Sequence, residues 1–394
     1  MNGTPAAERL HIGFFGRRNA GKSSLVNAVT GQDLVIVSDV KGTTTDPVRK
    51  AMELLPIGPV LIIDTPGIDD EGALGNLRII KAKQVLNMSD VAVLVIDAAE
   101  GAAPADNELI SVFKEKNVPY LIAWNKCDII EPSGANIPDN ELFVSAKKGV
   151  NINAFKEKLA KTVKTDAAAA RITGGLLSGG DIAVLVVPID KAAPKGRLIL
   201  PQQQTIRDIL ESDASAMVVK EHELRGALES LRVKPKIVIT DSQVFAKVAA
   251  DTPPDIPLTS FSILFARYKG FLWPAVNGVK RLDLLETGDK VLICEGCTHH
   301  RQCDDIGTVK LPRWIRAYTA CEPEFEFKSG VEFPEDLSAY KMVIHCGACM
   351  NNEREMRFRE KCAGDQNIPF TNYGIAIAHI QGILERCIAP FKMD

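Results

Sequence analysis

Short apolar runs alternate with amphipathic stretches from His11 to about Lys164. A short apolar run predicts a buried strand, and apolar positions at helical spacing predict a helix. Strands that alternate with helices favour a mostly parallel sheet with helices on both faces, so the predicted fold class is α/β. The predicted strands are His11–Phe15, Val60–Ile63, Val91–Ile96, Tyr120–Trp124 and Leu142–Val144.

Two further α/β rhythms follow this segment. Glycine pairs at Gly174-Gly175 and Gly179-Gly180 indicate a hinge before the second rhythm, and a proline cluster closes it. We expect three domains, at residues 1–170, 175–260 and 261–394, of which the second and third are smaller α/β domains. No internal repeat is evident in the sequence. The strands predicted here are Ile182–Val187, Ala216–Val219, Lys236–Ile239, Val291–Cys294 and Met342–His345.

The bulk composition is that of a soluble globular protein. At 394 residues the chain exceeds what one hydrophobic core normally serves, and its hydrophobic content of 46% is ordinary. A net charge of -3 gives no general reason to bind nucleic acid, and no segment reaches the apolar length of a membrane span. We therefore expect a cytoplasmic protein without nucleic-acid or membrane partners. Its nine cysteines, crowded towards the C-terminus, suit metal binding better than disulfides.

A glycine-rich loop follows the first predicted strand and precedes a helix-like run. From Gly16 to Ser23 it reads Gly-Arg-Arg-Asn-Ala-Gly-Lys-Ser, which is the phosphate-binding loop pattern in its required context. The glycines let backbone N–H groups surround phosphates, Lys22 reaches the β- and γ-phosphates, and Ser23 holds Mg²⁺. The predicted nucleotide-binding residues of this loop are Gly16, Asn19, Ala20, Gly21, Lys22, Ser23 and Ser24.

Two more elements of a nucleotide switch follow in order. Asp64-Thr65-Pro66-Gly67 ends an apolar strand, where the Asp64 carboxylate can reach the Mg²⁺ water shell and Gly67 can sense the γ-phosphate. Thr44 lies in a threonine run between this motif and the phosphate loop, and it is predicted to close over Mg²⁺ when the γ-phosphate is present. Lys22, Thr44 and Gly67 are therefore the predicted catalytic residues.

The remaining elements recognise the base. Asn125-Lys126-Cys127-Asp128 follows another predicted strand, and Asp128 can accept both guanine N–H donors, a contact that adenine cannot make. The predicted nucleotide is therefore GTP. Ser145-Ala146-Lys147 is predicted to support the base from the next loop.

These motifs resemble those of GTPases of the Era and MnmE type. In that group the residue after Asp-Thr-Pro-Gly is apolar, as Ile68 is here, so the water-orienting glutamine of signalling GTPases is missing. The group replaces an arginine finger with a bound K⁺ that an asparagine of the phosphate loop helps to hold. Asn19 stands at that place, so the resemblance implies K⁺-stimulated GTP hydrolysis.

Soft ligands come together in a second constellation, near the end of the chain. Cys297-Thr298-His299 is separated by a long spacer from His345-Cys346-Gly347-Ala348-Cys349, and each segment follows a predicted strand. Three thiolates suit an iron–sulfur cluster, while Cys294 with Cys297 and Cys346 with Cys349 could instead hold tetrahedral Zn²⁺. The residues alone leave these two metals nearly equal, although Cys294 reads as a buried apolar residue. His299 and His345 are candidate fourth ligands, second-shell donors or ordinary strand-end residues.

The two constellations together resemble the maturation GTPases of FeFe-hydrogenases, the HydF family, over all three predicted domains. The resemblance implies that Cys297, Cys346 and Cys349 bind a [4Fe–4S] cluster whose fourth position, at His299, His345, a nearby carboxylate or water, is exchangeable. It also implies a scaffold that receives a di-iron precursor made with two radical-SAM maturases and delivers it to apo-FeFe-hydrogenase. The middle domain would make a homodimer. The alternative is a regulatory GTPase whose zinc-stabilised C-terminal module binds RNA or protein.

Overall fold

The computed structural model describes residues 4–31, 47–67, 73–130, 137–163, 171–189, 198–296, 305–330 and 332–391. The chain divides into two compact units, Met1–Ala167 and Ala168–Asp394. Each unit has its own hydrophobic core. The division into three domains remains a prediction, since the second unit holds two sheets within one compact body.

The N-terminal unit is an α/β fold around a six-stranded sheet, counted over the described residues, in the order β2-β3-β1-β4-β5-β6. Only β2 runs antiparallel, along β3, and the other neighbours are parallel. All five predicted strands are present, and β2 is the strand that the apolar pattern missed, because most of its residues are exposed or only partly buried. The elements are β1 (Leu10–Phe15), α1 (Lys22–Thr30), β2 (Val48–Leu54), β3 (Gly58–Asp64), α2 (Ala73–Met88), β4 (Val91–Asp97), α3 (Pro104–Glu115), β5 (Tyr120–Asn125), β6 (Glu141–Phe143) and α4 (Ile152–Thr162).

The second unit contains two parallel four-stranded sheets, again counted over the described part of the chain. The first, with its helices, is here called the middle module, and the second the C-terminal module. The middle module comprises β7 (Ile182–Val186), α5 (Leu200–Leu210), β8 (Ser215–Val219), α6 (Leu224–Ser230), β9 (Ile237–Thr240), α7 (Phe245–Asp251), β10 (Leu258–Ser260), α8 (Phe261–Tyr268) and α9 (Leu272–Gly278). The C-terminal module comprises β11 (Lys290–Glu295), α10 (Leu311–Thr319), β12 (Glu324–Ser329), β13 (Met342–His345), α11 (Glu353–Asp365), β14 (Phe370–Asn372), α12 (Tyr373–Ile380) and α13 (Leu384–Ile388).

The two modules repeat one another, contrary to the expectation from the sequence. Their sheets are ordered β10-β9-β7-β8 and β12-β11-β13-β14, so the first strand of each lies between the second and the third, with the fourth at the edge. Aligned from their last strands, Pro257-Leu-Thr-Ser matches Pro369-Phe-Thr-Asn. Ser260 and Asn372 then cap α8 and α12 in the same way, each accepting from the N–H three residues on. The repeat is not evident in the sequence because the modules share strand order and helix caps but no long stretch of identical residues.

The repeated elements meet reciprocally inside the second unit. Helix α8 packs on α12, α9 packs on β14, and α13 packs on β10, as expected for two like modules about an approximate twofold axis. Gly278 marks how close this contact is, because a Cβ there would lie 2.2 Å from the carbonyl oxygen of Phe370. The middle module therefore packs directly against the strand that borders β13.

Candidate functional site

The phosphate loop joins β1 to α1, and two of its glycines have no substitute. Gly16 has φ 140°, and a Cβ there would lie 2.2 Å from the carbonyl oxygen of Val95. Gly21 has φ 88°, and its Cβ would lie 2.2 Å from Nδ2 of Asn125. Such backbone is open only to glycine, so the loop wraps tightly at the amino end of α1, where N–H groups and the helix dipole favour anions.

Polar side chains converge where β3 meets this loop. The Lys22 ammonium donates to the carbonyl oxygens of Gly16 at 2.9 Å and Arg17 at 2.8 Å. The Ser23 hydroxyl donates to Oδ2 of Asp64 at 2.7 Å, while Oδ1 of Asp64 is buried without a hydrogen-bond partner. Burial raises the pKa of Asp64, against the opposing effects of Ser23 and Lys22. An orphaned carboxylate oxygen beside a serine hydroxyl fits Mg²⁺ and its water shell.

Gly67 lies directly against the phosphate loop. A Cβ on Gly67 would lie 2.8 Å from both N and Cα of Arg18. The preceding Thr65 anchors this segment to β1, because its hydroxyl donates to the carbonyl of Phe14 at 2.6 Å. The backbone of Gly67 is therefore held at the loop where the γ-phosphate is predicted to lie.

The base-recognition residues are linked to one another and to the phosphate loop. Asn125 donates from Nδ2 to the carbonyl of Ala20 and accepts at Oδ1 from the N–H of Ala146, both at 3.0 Å. The Ser145 hydroxyl donates to Asp128 at 2.6 Å, and this bond lowers the pKa of Asp128. Asp128 is therefore held ionised and ready to accept two N–H donors.

Asp97 completes this corner and was not found from the sequence. It ends β4 and accepts from the Lys126 ammonium at 2.6 Å. Burial alone would raise the pKa of Asp97, but the hydrogen bonds from Lys126 and the N–H of Ala99 outweigh it and the pKa is lowered. An acid at the carboxyl end of a parallel strand is a signal that could have identified it.

The other predicted nucleotide residues differ in how the structure places them. Asn19 has φ 60° with an exposed side chain, Ser24 is half-buried on α1, and Lys147 is exposed. Thr44 and Ile68 lie outside the described residues.

The second predicted site lies at the carboxyl ends of β11 and β13, which pair side by side in parallel. Cys346 follows β13; its N–H donates to the carbonyl of Cys294 at 2.8 Å, and its sulfur accepts from the N–H of Gly296 at 3.1 Å. Burial raises the pKa of Cys346, and the hydrogen bonds from Gly296 and Ala348 oppose that rise. Two backbone N–H groups aimed at one sulfur fit a bound thiolate.

The ligand set is only partly described. Cys297 and His299 lie outside the described residues. Within the described ranges no group of three potential metal ligands comes together. Cys346 and Cys349, both half-buried, are therefore the part of the predicted site that the structure places together on one loop.

Each ring nitrogen of His345 has a partner within the protein. Nε2 lies 2.9 Å from Nη1 of Arg359, which can only donate, so Nε2 accepts. Nδ1 then carries the proton and donates to the carbonyl of Cys346 at 3.1 Å. Burial, followed by the charge of Arg359, lowers the pKa of His345 well below its ordinary value. In this arrangement His345 braces the Cys346 backbone and leaves no nitrogen for a metal.

Cys294 is similarly engaged elsewhere. It is buried in the core, and this burial raises the pKa of its thiol to about 12. The four-thiolate zinc arrangement would need this side chain as a thiolate, so the packing disfavours it.

Two buried polar residues of this site were missed from the sequence. Glu295 is 4% exposed at the end of β11, and the Tyr373 hydroxyl donates to it at 3.4 Å. Asn351 is 2% exposed, and its Oδ1 lacks a partner beside Gly296, where a Cβ would lie 1.7 Å from it. An orphaned acceptor facing the segment that leads to Cys297 fits a site that receives a further group.

Three known domain families match separate parts of the chain. Residues 11–126 match the 50S ribosome-binding GTPase family. Residues 172–270 match the hydrogen maturase F dimerization domain, and residues 273–390 match the hydrogen maturase F tetramerization domain.

Curated relatives and solved structures each resemble part of the chain. The tRNA modification GTPase MnmE of Laribacter hongkongensis is 32% identical over 160 residues, covering 40% of this chain and 35% of that protein. GTPase Der of Maridesulfovibrio salexigens is 37% identical over 136 residues, covering 33% of this chain and 30% of its own. The chain thus spans about a third of these relatives' length. Aquifex aeolicus Era bound to GDP·AlF4⁻ is 22% identical with a TM-score of 0.36, covering 53% of this chain and 92% of that one.

The phosphate loop and its partner loops define a P-loop GTPase domain, here followed by two α/β modules in one chain. The two modules identify the family more narrowly. The chain belongs to the hydrogen maturase F family. Over the residues that the structure describes, no helix combines the length and apolarity needed to cross a membrane.

Proposed function

We propose that this protein is the GTP-hydrolysing scaffold of FeFe-hydrogenase maturation. It would bind a [4Fe–4S] cluster, receive a di-iron precursor made with two radical-SAM maturases, and deliver it to apo-hydrogenase. The observation that carries this proposal is the loop that holds Cys346 and Cys349 at paired strand ends, within the C-terminal module that matches hydrogen maturase F. The matched dimerization domain supports a homodimer. We place the protein in the cytoplasm, where thiols stay reduced and available to a metal.

The nucleotide half of the proposal assigns each residue a task. Lys22 would exchange its two carbonyl partners for phosphate oxygens, and Ser23 with Thr44 would hold Mg²⁺. Asp128 would accept from guanine, with Asn125 and Ser145 keeping its loop in register. We expect Lys22→Ala to lower kcat for GTP by about 100-fold or more. The substitution removes the positive charge that stabilises the negative charge developing on the phosphate.

Asn19 would help hold K⁺ beside the phosphates. Asn19 has φ 60°, so Asn19→Gly removes the amide without straining the backbone. We expect kcat in K⁺ to fall about tenfold or more towards the rate in Na⁺, since a cation near the transferred phosphate is lost. Asn117→Gly is the matched control, with φ 48° just before β5, at the amino ends of the parallel strands. Equal rates in K⁺ and Na⁺ for the unmodified protein would remove this role of Asn19.

The metal half rests on Cys297, Cys346 and Cys349. When bound, the cluster would supply an iron position open to exchange. The residues around it orient the thiolates and shape the site: Gly296 and Ala348 donate to the Cys346 sulfur, and His345 braces its carbonyl. An incomplete thiolate set suits a scaffold that must later release its cargo.

Anaerobic purification, reconstitution with iron and sulfide, and EPR of the reduced protein test this half. We expect a cluster signal that Cys346→Ala abolishes and Cys321→Ala, a half-buried cysteine after α10, leaves in place. Tight binding of zinc without an iron signal would favour the alternative, a regulatory GTPase with a zinc-stabilised RNA- or protein-binding module.

A further inference from the structure

A buried lysine of the middle module reaches into the C-terminal module. Lys269 follows α8 and is 2% exposed. Its ammonium donates to the carbonyl oxygens of Ala348 and Asn351 and lies 5.6 Å from the ring centroid of Phe265. Burying an ammonium is unfavourable unless it is well partnered, so this contact is a built feature of the unit.

The two carbonyls belong to the loop that carries the thiols, residues 346–352, here called the thiol loop. Ala348 has φ 56°, a left-handed conformation that disfavours residues with a side chain. The Ala348 carbonyl belongs to the peptide that joins it to Cys349. Fixing that carbonyl fixes the peptide plane and so limits the directions in which the Cys349 side chain can leave the backbone.

The same helix of the middle module also lines the loop. A Cβ on Gly347 would lie 3.4 Å from the Ser262 hydroxyl, and Asn372 donates to the Ser262 carbonyl at 3.0 Å. In the aligned repeat Lys269 corresponds to Gln381, which follows α12 and is exposed. The buried ammonium is therefore particular to the copy that faces the thiol loop.

We propose that Lys269 is a positioning residue that clamps the thiol loop and favours negative charge on it. The hydrogen bonds hold Cys349 in a direction set before any metal binds. The positive charge stabilises thiolates and the added electron of a reduced cluster, since nearby charge is among the factors that set a cluster's potential. The middle module thus contributes to the metal site as well as to assembly. The effect of the Lys269 charge on a reduced cluster rests on the proposed function, whereas the clamp on the loop does not.

The clamp is tested first on the metal-free protein. Alkylation rates of individual cysteines, measured by mass spectrometry under reducing conditions and corrected for the thiolate fraction through their pH dependence, report how often the loop opens. In Lys269→Met we expect alkylation of Cys349 about tenfold faster, since two hydrogen bonds from a charged donor are lost. Cys321 should keep its rate in every variant. Lys269→Gln keeps a donor without charge and should restore most of the protection, while Lys280→Met, at an exposed lysine, should change nothing.

Unfolding is recognised from buried Cys387, which should stay unreactive. If Cys387 reacts in Lys269→Met, Lys269→Gln replaces it in the test: a neutral donor holds the two carbonyls less tightly than an ammonium, so Cys349 should still react about twofold or more faster than in the unmodified protein. An unchanged Cys349 rate in the folded variants would overturn the clamp, whether or not the protein binds iron.

The charge effect is tested on the protein reconstituted with iron and sulfide. The midpoint potential should become more negative in both Lys269→Met and Lys269→Gln, because both remove the charge, and stay fixed in Lys280→Met. Equal potentials in all of these proteins would overturn the electrostatic part. Failure of the unmodified protein to take up a cluster would instead contradict the proposed function and leave the alkylation result standing.

Discussion

At the scale of single residues, Asn125 joins the phosphate loop to the base-recognition loops. One side chain bonds Ala20 on one side and Ala146 on the other, and it is 2% exposed. Substituting this side chain therefore leaves a buried carbonyl and a partly buried N–H without partners. Such groups are costly because water cannot replace the lost bonds.

Asn125→Ala should destabilise the N-terminal unit even without nucleotide. We expect a loss of about 2 kcal/mol or more, since two hydrogen bonds are lost, one buried and one partly buried. The melting transition of that unit, identified by its shift with added nucleotide, should fall by roughly 4 °C or more. Asn107→Ala, at an exposed asparagine of α3, is the control. An unchanged transition would show that the cross-link carries little energy.

The residue-level predictions came from ordered motifs, which specify the chemistry of each position. Sequence motifs do not reveal partners brought together only by the fold. Asp97 on Lys126 and Lys269 on the thiol loop join residues far apart in the chain. His345 was a candidate ligand in the sequence, and only the fold shows that its Nε2 accepts a hydrogen bond from Arg359.

At the scale of elements, helix α9 and strand β14 approach each other closely at Gly278. Of the described glycines at the contact between the two modules, Gly278 has the least room for a Cβ. A Cβ on Gly278 would lie 2.2 Å from the Phe370 carbonyl oxygen and 2.7 Å from its nitrogen. Backbone atoms of a strand cannot move aside as a flexible side chain can. The two elements would have to separate.

Gly278→Ala should destabilise the second unit by about 1–3 kcal/mol through overpacking. Gly226→Ala is the matched variant, because Gly226 lies in helix α6 and a Cβ there meets nothing within 4 Å. Alanine is the better helix former by about 0.5–1 kcal/mol, so this variant should stabilise the unit. Guanidinium denaturation followed by far-UV circular dichroism measures both. Equal midpoints for the two variants would contradict the packing.

Periodicity identified every buried strand of four or more residues. It missed β2 and β12, which are exposed or only partly buried, and the buried three-residue β10, since none of them presents a long apolar run. The repeat of strand order between the two modules is a property of pairing in space, and periodicity carries no information about which strands pair.

At the scale of the whole molecule, two separate cores organise the chain. One extends from Ile12 to Leu159 and the other from Ile172 to Phe391. A domain with its own core can in principle fold alone. We therefore expect fragment 168–394 to unfold cooperatively in urea. Its far-UV circular dichroism should equal the contribution of the helices and strands of the same residues in the full chain. An aggregated or non-cooperative fragment would contradict two independent cores.

We propose above all that this protein carries the maturation cargo to hydrogenase. The most direct measurement is H₂ evolution by purified apo-FeFe-hydrogenase after mixing with this protein, purified anaerobically from cells that also express the two radical-SAM maturases. We expect the unmodified protein and Cys321→Ala to activate the hydrogenase, and Cys346→Ala to leave it inactive. Activation by Cys346→Ala at the unmodified level, or none by the unmodified protein, would contradict this proposal.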